Sequence, residues 1–558
     1  MSSDLLIYLA QINTSVGDIA GNYNKIIEQC QIAQAKNCDL IVFPELTICG
    51  YPCDDLWKKK SFVESCEQAI MSIVEFSKQL KITILVGSPI SDVIKNKTVI
   101  RNSALLIAQG KVKKIINKKT LPNYAVFDEK RYFEAGSTLS YVEFNGQTLA
   151  ILICEDFWDQ RNWLLLKEQI FDNLIIINSS PFEVNKQQLR LDKASELAKT
   201  LNKSLIYVNQ VGGQDSLVFD GSSFVINKNG EVELQLDNFS TDFSIIELYK
   251  NSQLKIIEKN NAKLSNFTND NLAQIYSAMV LGLREYLEKN KFSDVLLGMS
   301  GGIDSALVAM IAVDAITAKH VKLYALPTKF NQPQSFSDAL QCANNLGLEL
   351  KTIEIEEIFQ NMLSNLEKQG EKLNSLAQEN LQSRLRGTIL MSISNSTNAL
   401  LISTGNKSEL ACGYATIYGD MNGAFNPIKD LYKTQIYQIV NWRNNNFCQI
   451  SDFKKTNLIP QNIISKAPSA ELRFNQKDSD SLPDYQILDQ ILFALIEEEK
   501  SISEIVKDGF DENLVKKISQ LFKNSEYKRA QSVIGVRLSK MSFDKDRRYP
   551  ITNNFNND

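Results

Sequence analysis

The feature that most constrains this chain is a change of rhythm near its middle. Before residue 241, short apolar runs crowd together with few helical stretches between some of them; beyond 270, strand-like and helix-like segments alternate. Between them, from about Thr241 to Asp270, the sequence turns polar and rich in Asn, Lys and Ser, as in Asn260-Asn261-Ala262-Lys263-Leu264-Ser265-Asn266. A single hydrophobic core does not grow to 558 residues, so two or more domains are the default. The polar stretch is read as their boundary: a first domain over 1–250, a linker region over 251–270 and a second domain over 271–558.

In the first half, Leu5 to Ile12, Leu40 to Phe43, Ile82 to Val86, Ser103 to Ala108, Leu149 to Cys154, Leu174 to Asn178 and Leu205 to Asn209 read as buried strands. Asn22 to Asn37 and Ser61 to Leu80 carry amphipathic helical spacing, and Asn145-Gly146 is a type I′ hairpin signal. Strands in this number predict a layered α/β sandwich with mixed sheets. In the second half the strands Asp294 to Gly298, Val321 to Leu326, Leu348 to Ile355 and Leu400 to Ser403 alternate with helices near Asp304, over Ser335 to Leu346 and from about Leu381 to Ser394. That is the pattern of a doubly wound parallel sheet.

Composition removes several functions. The chain has one histidine, His320, at the end of an apparent helix, where a surface position is the ordinary reading. Ser-His-Asp, Cys-His and His-rich zinc chemistry therefore have almost nothing to be made from. A net charge of -4 speaks against nucleic-acid binding. No apolar run reaches the length of a membrane helix, and Met1 to Ile12 runs straight into a strand without the regions of a signal peptide. The nine cysteines are scattered and never form a CxxC pair, which points to reduced thiols in a cytoplasm.

Ser300-Gly301-Gly302-Ile303-Asp304-Ser305 lies between an apolar strand and a helix. There glycines let the backbone approach an anion, and the helix N-terminus offers unpaired N–H groups. No Gly-Lys-Ser/Thr follows, so this is not a Walker A loop. Asp304 beside bound phosphates makes sense as a Mg²⁺ ligand; a plain strand-to-helix turn with Asp304 as its cap fits the same residues. Cys154 ends an apolar strand. Most free cysteines are small buried apolar residues, yet a nucleophilic one here would need a carboxylate base and a lysine in place of histidine. Glu45 and Lys118, each just past an apolar segment, are candidates.

Both halves resemble known families. Phe43-Pro44-Glu45-Leu46, Lys118-Lys119-Thr120-Leu121-Pro122 and Cys154-Glu155-Asp156 look like the three catalytic blocks of the nitrilase, or carbon–nitrogen hydrolase, superfamily. The resemblance implies an α-β-β-α sandwich with Glu45 as general base, Cys154 as nucleophile, Lys118 steadying the oxyanion (Lys119 being the adjacent alternative) and Glu129 as a fourth, positioning carboxylate. Glutaminase versions imply a glutamine site at Tyr124, Ser180 and Lys186, the last anchoring a carboxylate.

The loop at 300–305 resembles the signature of the N-type ATP pyrophosphatases. Thr404 to Leu410, Gly413 to Asp420, Lys466 to Arg473, Asp478 to Asp484 and Asp546 to Thr552 look like their NAD synthetase branch. That resemblance implies ATP contacts at Gly298, Met299, Ser300, Gly301, Gly302, Ile303, Asp304, Ser305 and Thr404. It further implies Mg²⁺ at Asp304 and Glu409, with deamido-NAD⁺ near Asn380, Glu409, Tyr414 and Lys528. Read from the residues alone, Glu409 is a solvated helix-start carboxylate, Lys528 a solvated charge and Asn380 a helix entrance. Asn331-Gln332-Pro333-Gln334-Ser335 departs from the serine-rich stretch of the family.

Together the halves resemble the glutamine-dependent NAD⁺ synthetase family, which implies small-molecule substrates, no membrane or nucleic-acid partner, and a homo-oligomer, dimer and octamer both open. The alternatives are weaker. Ser2-Ser3 is not the N-terminal cysteine of glutamine-type asparagine synthetases, and one histidine does not supply the Cys-His-Glu glutaminase of GMP-forming enzymes. A ligand sensor without turnover would not need Glu45, Lys118 and Cys154 intact.

Overall fold

The computed structural model describes residues 4–260, 270–480 and 482–555. The chain divides into two compact units, Met1–Asn269 and Asp270–Asp558. Of the expected linker at 251–270, residues 261–269 lie outside the described residues, and Leu254–Lys259 is an edge strand of the first unit.

The first unit holds two large mixed sheets. One has seven strands in the order Leu254–Lys259, Asp242–Leu248, Leu5–Gln11, Leu40–Val42, Thr83–Ile94, Lys97–Ala108, Lys111–Asn117. The other has six, in the order Val232–Gln235, Phe224–Ile226, Leu205–Asn209, Asn173–Asn178, Gln147–Ile153, Ser140–Phe144. Their facing sides share one core that joins Ile7, Leu9, Val42 and Leu85 to Ile151, Ile153, Ile177 and Val208. Helices Ile19–Ala35 and Lys60–Phe76 cover the outer face of the first sheet, and Gln160–Lys167 and Lys186–Leu201 that of the second. Strands buried on both faces cannot alternate polar with apolar, which is why they appear in the sequence as continuous apolar runs. This is the α-β-β-α sandwich. The strand at Ile82 to Val86 extends to Ile94 because it pairs along its whole length with Lys97–Ala108. Asn145 and Gly146 both take positive φ, 47° and 80°, as a type I′ turn requires.

The second unit carries a four-stranded parallel sheet in the order Leu350–Thr352, Val321–Ala325, Val295–Gly298, Leu400–Leu401. The chain thus moves outward from Val295–Gly298 and then returns to its other side, which makes a topological switch point between Val295–Gly298 and Leu400–Leu401. Helices Ile303–Ile316, Pro333–Leu346 and Ser375–Thr397 connect the strands. The expected strands Leu348 to Ile355 and Leu400 to Ser403 are shorter than the apolar runs, keeping only Leu350–Thr352 and Leu400–Leu401; beyond the latter, Ser403 and Thr404 line a cavity at the switch point. A second core, built by Lys407–Cys412, Tyr485–Ile496, Ile502–Lys507 and Glu512–Asn524, completes the unit. No helix among the described residues is long and apolar enough to cross a membrane.

Candidate active sites

In the first unit three strand ends converge on one buried charged cluster. Lys118 Nζ lies 2.7 Å from Glu45 Oε1 and 2.8 Å from Glu129 Oε1, with all three side chains at most 2% exposed. Asn102 Nδ2 donates to Glu45 Oε1 at 2.7 Å, Ser179 N to Glu45 Oε2 at 3.0 Å, and the Tyr51 hydroxyl to Glu129 Oε1 at 2.9 Å. The turn carrying Glu45 presses on Gly87, where a Cβ would fall 2.2 Å from Leu46 N, so only glycine lets the neighbouring strand pass beneath it. Burying two carboxylates and one ammonium is costly unless each is paired; two acids on one lysine leave an excess negative charge. Burial chiefly, with Glu45 adding and Lys118 opposing, pushes Glu129 up to about 7.

Cys154 sits between strand Gln147–Ile153 and the short helix Glu155–Trp158 with φ 46° and ψ −97°. A non-glycine residue in this region is strained, a feature typical of functional turns. Burial and the Glu45 charge hold its thiol well above the usual range, against the pull of Lys118. A cysteine attacks as its thiolate, so a thiol held in this way needs a base. Asp156 Oδ1 accepts from the backbone N–H of Lys119 and Thr120 at 2.9 and 2.6 Å, fixing the turn, while Lys119 Nζ reaches Asn162 instead. Of the adjacent lysines, Lys118 is thus the one facing the carboxylates.

Around this cluster, the Tyr124 hydroxyl donates to Glu155 at 3.0 and 3.2 Å, and Lys186 Nζ stands 4.6 Å above the Trp158 ring. Ser180 is buried, its N–H bound to Asn209 Oδ1 at 2.9 Å. Tyr51, Asn102 and Ser179 were not picked out from the sequence, because each lies in an unremarkable local context and acquires its partner only across the fold; Asp156 stood in the Cys154 block without a role of its own.

In the second unit the 300–305 loop follows Val295–Gly298 at the switch point. The Ser300 and Ser305 hydroxyls are 3.1 Å apart, and Gly302 N donates to Ser300 Oγ at 3.2 Å. Gly301 has φ 81°, and a Cβ there would lie 2.2 Å from Ser335 O. Gly302, not Asp304, is the N-cap of helix Ile303–Ile316. Asp304 instead accepts from Asn406 Nδ2 at 3.0 Å and Lys433 Nζ at 2.5 Å, so the plain-cap alternative does not hold.

Beside it, Glu409 closes a capping box with Asn406 on helix Lys407–Cys412 and lies 3.5 Å from Lys433. Burial, aided by Asp304 and Asp478 and opposed by Lys433, pushes Glu409 up to about 8. A side chain 19% exposed in that setting is no solvated carboxylate. Gly298, Met299, Ser300, Gly302, Ile303, Asp304, Ser305, Thr404, Glu409 and Tyr414 all line one cavity of about 320 Å³. Asn331 and Ser335, in the segment that departs from the family, line it too. Asn380 and Lys528 stand outside that lining and hold the 413–416 turn from two sides. Asn380 Oδ1 accepts from Thr416 Oγ1 at 2.8 Å, and Lys528 Nζ donates to the carbonyls of Gly413 and Ala415 at 2.7 and 2.8 Å. Asn380 lies within helix Ser375–Thr397 rather than at its entrance. The only histidine is half-exposed and paired with Asp294, far from any catalytic need.

A buried thiol beside two carboxylates and a lysine, and a glycine-rich loop lining a cavity at a switch point, are what the two halves of an ATP-using amidotransferase would need. Residues 6–252 match the carbon–nitrogen hydrolase family and residues 275–532 the NAD synthase family. A glutamine-dependent NAD(+) synthetase of Acinetobacter baylyi is 41% identical over 99% of both chains, and one of Thermotoga maritima 37% identical over 99% of both. The solved glutamine-dependent NAD+ synthetase of Acinetobacter baumannii, in complex with adenosine diphosphate, is 39% identical with a TM-score of 0.76 over 98% of each chain. This chain belongs to the glutamine-dependent NAD⁺ synthetase family.

Proposed function

We propose that the chain amidates deamido-NAD⁺ to NAD⁺ at the expense of ATP, with ammonia drawn from glutamine, releasing AMP, pyrophosphate and glutamate. The observation that carries this reading is the pairing, in one family member, of the Cys154–Glu45–Lys118 cluster with the cavity around Ser300–Ser305. Region 1–250 is the glutaminase and 271–558 the synthetase.

In the glutaminase, Glu45 takes the Cys154 thiol proton as sulfur attacks the amide carbon of glutamine. The proton passes to the departing nitrogen, ammonia leaves, and water hydrolyses the γ-glutamyl thioester. A lysine ammonium has three donors; Glu45 and Glu129 take two, which leaves one for the developing oxyanion. Glu129 fixes Lys118. Tyr124, Ser180 and Lys186 bind the rest of the glutamine molecule.

In the synthetase, the 298–305 segment and Thr404 bind ATP, with the glycines admitting phosphate and the helix N-terminus facing it. The nicotinate carboxylate attacks the α-phosphorus, pyrophosphate leaves, and ammonia then displaces AMP from the acyl adenylate. Asn380, Glu409, Tyr414 and Lys528 form the deamido-NAD⁺ side, Asn380 and Lys528 acting through the turn they hold. Asp304 and Glu409 would hold Mg²⁺. They are two acids lying close to one lysine, and no group of three or more His, Cys, Asp or Glu side chains among the described residues makes a cage. Such a set suits a cation that takes its other ligands from phosphate and water. When bound, it would supply positive charge against the phosphates. The nine cysteines are free thiols, which supports a reducing, cytoplasmic setting; a homo-oligomer is the working assembly.

The test is conversion of deamido-NAD⁺ to NAD⁺ by the purified protein with glutamine and ATP. AMP and pyrophosphate should appear in step with NAD⁺. Formation of ADP instead would overturn the adenylation route.

A further inference from the structure

Helix Lys186–Leu201 carries a buried arginine that the chemistry above does not use. Arg190 is 1% exposed and Asp220, at the end of strand Leu217–Asp220, is 2% exposed. Arg190 NH1 donates to both Asp220 oxygens, at 2.8 and 2.7 Å. Its NH2 donates to the carbonyls of Ser180 and Pro181, at 3.0 and 2.9 Å. A buried pair of this kind is costly to desolvate and adds little stability over an apolar pair of the same size. Its four hydrogen bonds, however, set geometry, because a guanidinium is a planar fork with fixed donor directions.

The backbone that Arg190 grips is the one on which the catalytic cluster rests. Ser179, next to Ser180, gives its N–H to Glu45 Oε2 and its hydroxyl to the Glu45 carbonyl at 2.9 Å. Ser180 is held further by Asn209, whose side chain accepts from its N–H and donates to its carbonyl at 3.2 Å. Arg190 also lies four residues after Lys186, hence on the same face of the helix one turn on. One guanidinium therefore fixes the Ser180 strand exit and the helix turn that presents Lys186.

We infer that Arg190, braced by Asp220, is a positioning residue for glutamine, setting the spacing between Ser180 and Lys186 so that both meet the amino-acid end of the substrate. This rests on the proposed roles of Ser180 and Lys186. The pair touches neither the thiol proton nor the leaving nitrogen. Its loss should therefore weaken binding of glutamine rather than slow the chemistry of glutamine once bound.

The experiment compares Arg190→Lys with wild type in glutamate release and in NAD⁺ formation from ammonium. Lysine keeps the charge opposite Asp220, but its three donors sit on one atom of a shorter reach and do not replace the four bonds of the planar fork in their fixed directions. The KM for glutamine should rise about tenfold or more, with kcat at saturating glutamine within about threefold of wild type and ammonium-supported synthesis unchanged. The retained kcat with glutamine shows that the glutaminase unit is folded, and the ammonium-supported rate shows the same for the synthetase unit. The uncharged pair Arg190→Gln with Asp220→Asn avoids a stranded buried charge and should show the same split. An unchanged KM in a folded Arg190→Lys protein overturns the inference, as does a fall in kcat with KM intact. Ser180→Ala and Lys186→Met test the underlying reading separately: if neither raises KM, the glutamine clamp itself is misplaced, whatever Arg190 does.

Discussion

The two sites of this chain solve opposite problems. The glutaminase cluster is closed in: Glu45, Lys118 and Glu129 are at most 2% exposed, and they bond to each other and to Asn102, Ser179 and Tyr51. The synthetase site is a cavity of about 320 Å³ whose acids, Asp304 and Glu409, remain 18% and 19% exposed around Lys433. On the proposed function, one amide substrate is small and reacts by covalent capture, which a fixed charged triad in a low dielectric would serve. Two nucleotides and a leaving pyrophosphate would need room and backbone donors, which the cavity of the second site offers. The difference is between a site organised before its substrate arrives and one that its substrates complete.

That contrast can be broken experimentally, and the largest effect belongs to the thiol. Cys154→Ala should lower glutamine-dependent NAD⁺ formation by roughly 10³-fold or more, while synthesis from ammonium stays at the wild-type rate. If both activities fell together, the two sites would not be separable. Lys433→Met should cost the synthetase about 10²-fold, and equally with glutamine or ammonium, because it removes the cation shared by Asp304 and Glu409. A loss confined to glutamine would place Lys433 in the wrong site.

A smaller effect concerns pH. Glu409 is held up to about 8 in the folded protein, chiefly by burial, so between about 4.3 and 8 the folded state binds more protons there than the unfolded chain. Its contribution to stability is therefore full at low pH and is lost as pH rises through that window. Glu409→Gln, measured as denaturation midpoint against pH, should flatten the decline between about pH 5 and 8 relative to wild type. An identical slope would show that Glu409 does not carry a raised proton affinity. The smallest effect is local. Asn406→Ala removes the cap of helix Lys407–Cys412 and should cost about 1 kcal/mol, with the synthetase weakened further through the lost bond to Asp304.

Reading the sequence succeeded where local pattern and tertiary role coincide. Leu205–Asn209 runs the full length of its apolar stretch, and Asn145-Gly146 turns as its residue types demand, because strand burial and turn dihedrals are set by neighbours in the chain. It fell short where partners come from far away. Asp304 kept a second reading as a helix cap until Asn406 and Lys433, more than a hundred residues on, took its two oxygens. Tyr51 and Asn102 gave no signal, since a tyrosine after a turn and an asparagine in a strand are common.

The sequence alone determined the class of chemistry. With one surface-type histidine the candidates were a thiol, carboxylates and lysines, and the Ser-Gly-Gly loop between strand and helix read as an anion cradle or a plain turn. Tertiary structure decided which of those groups act together. It set the ammonium of Lys118, which the resemblance already preferred to Lys119, between two buried acids, and it moved Glu409 from a helix-start charge to a largely buried carboxylate beside Lys433. The reason is physical. Backbone preference is short-ranged and written in adjacent residues, whereas the ionisation and reach of a side chain depend on what the fold packs against it.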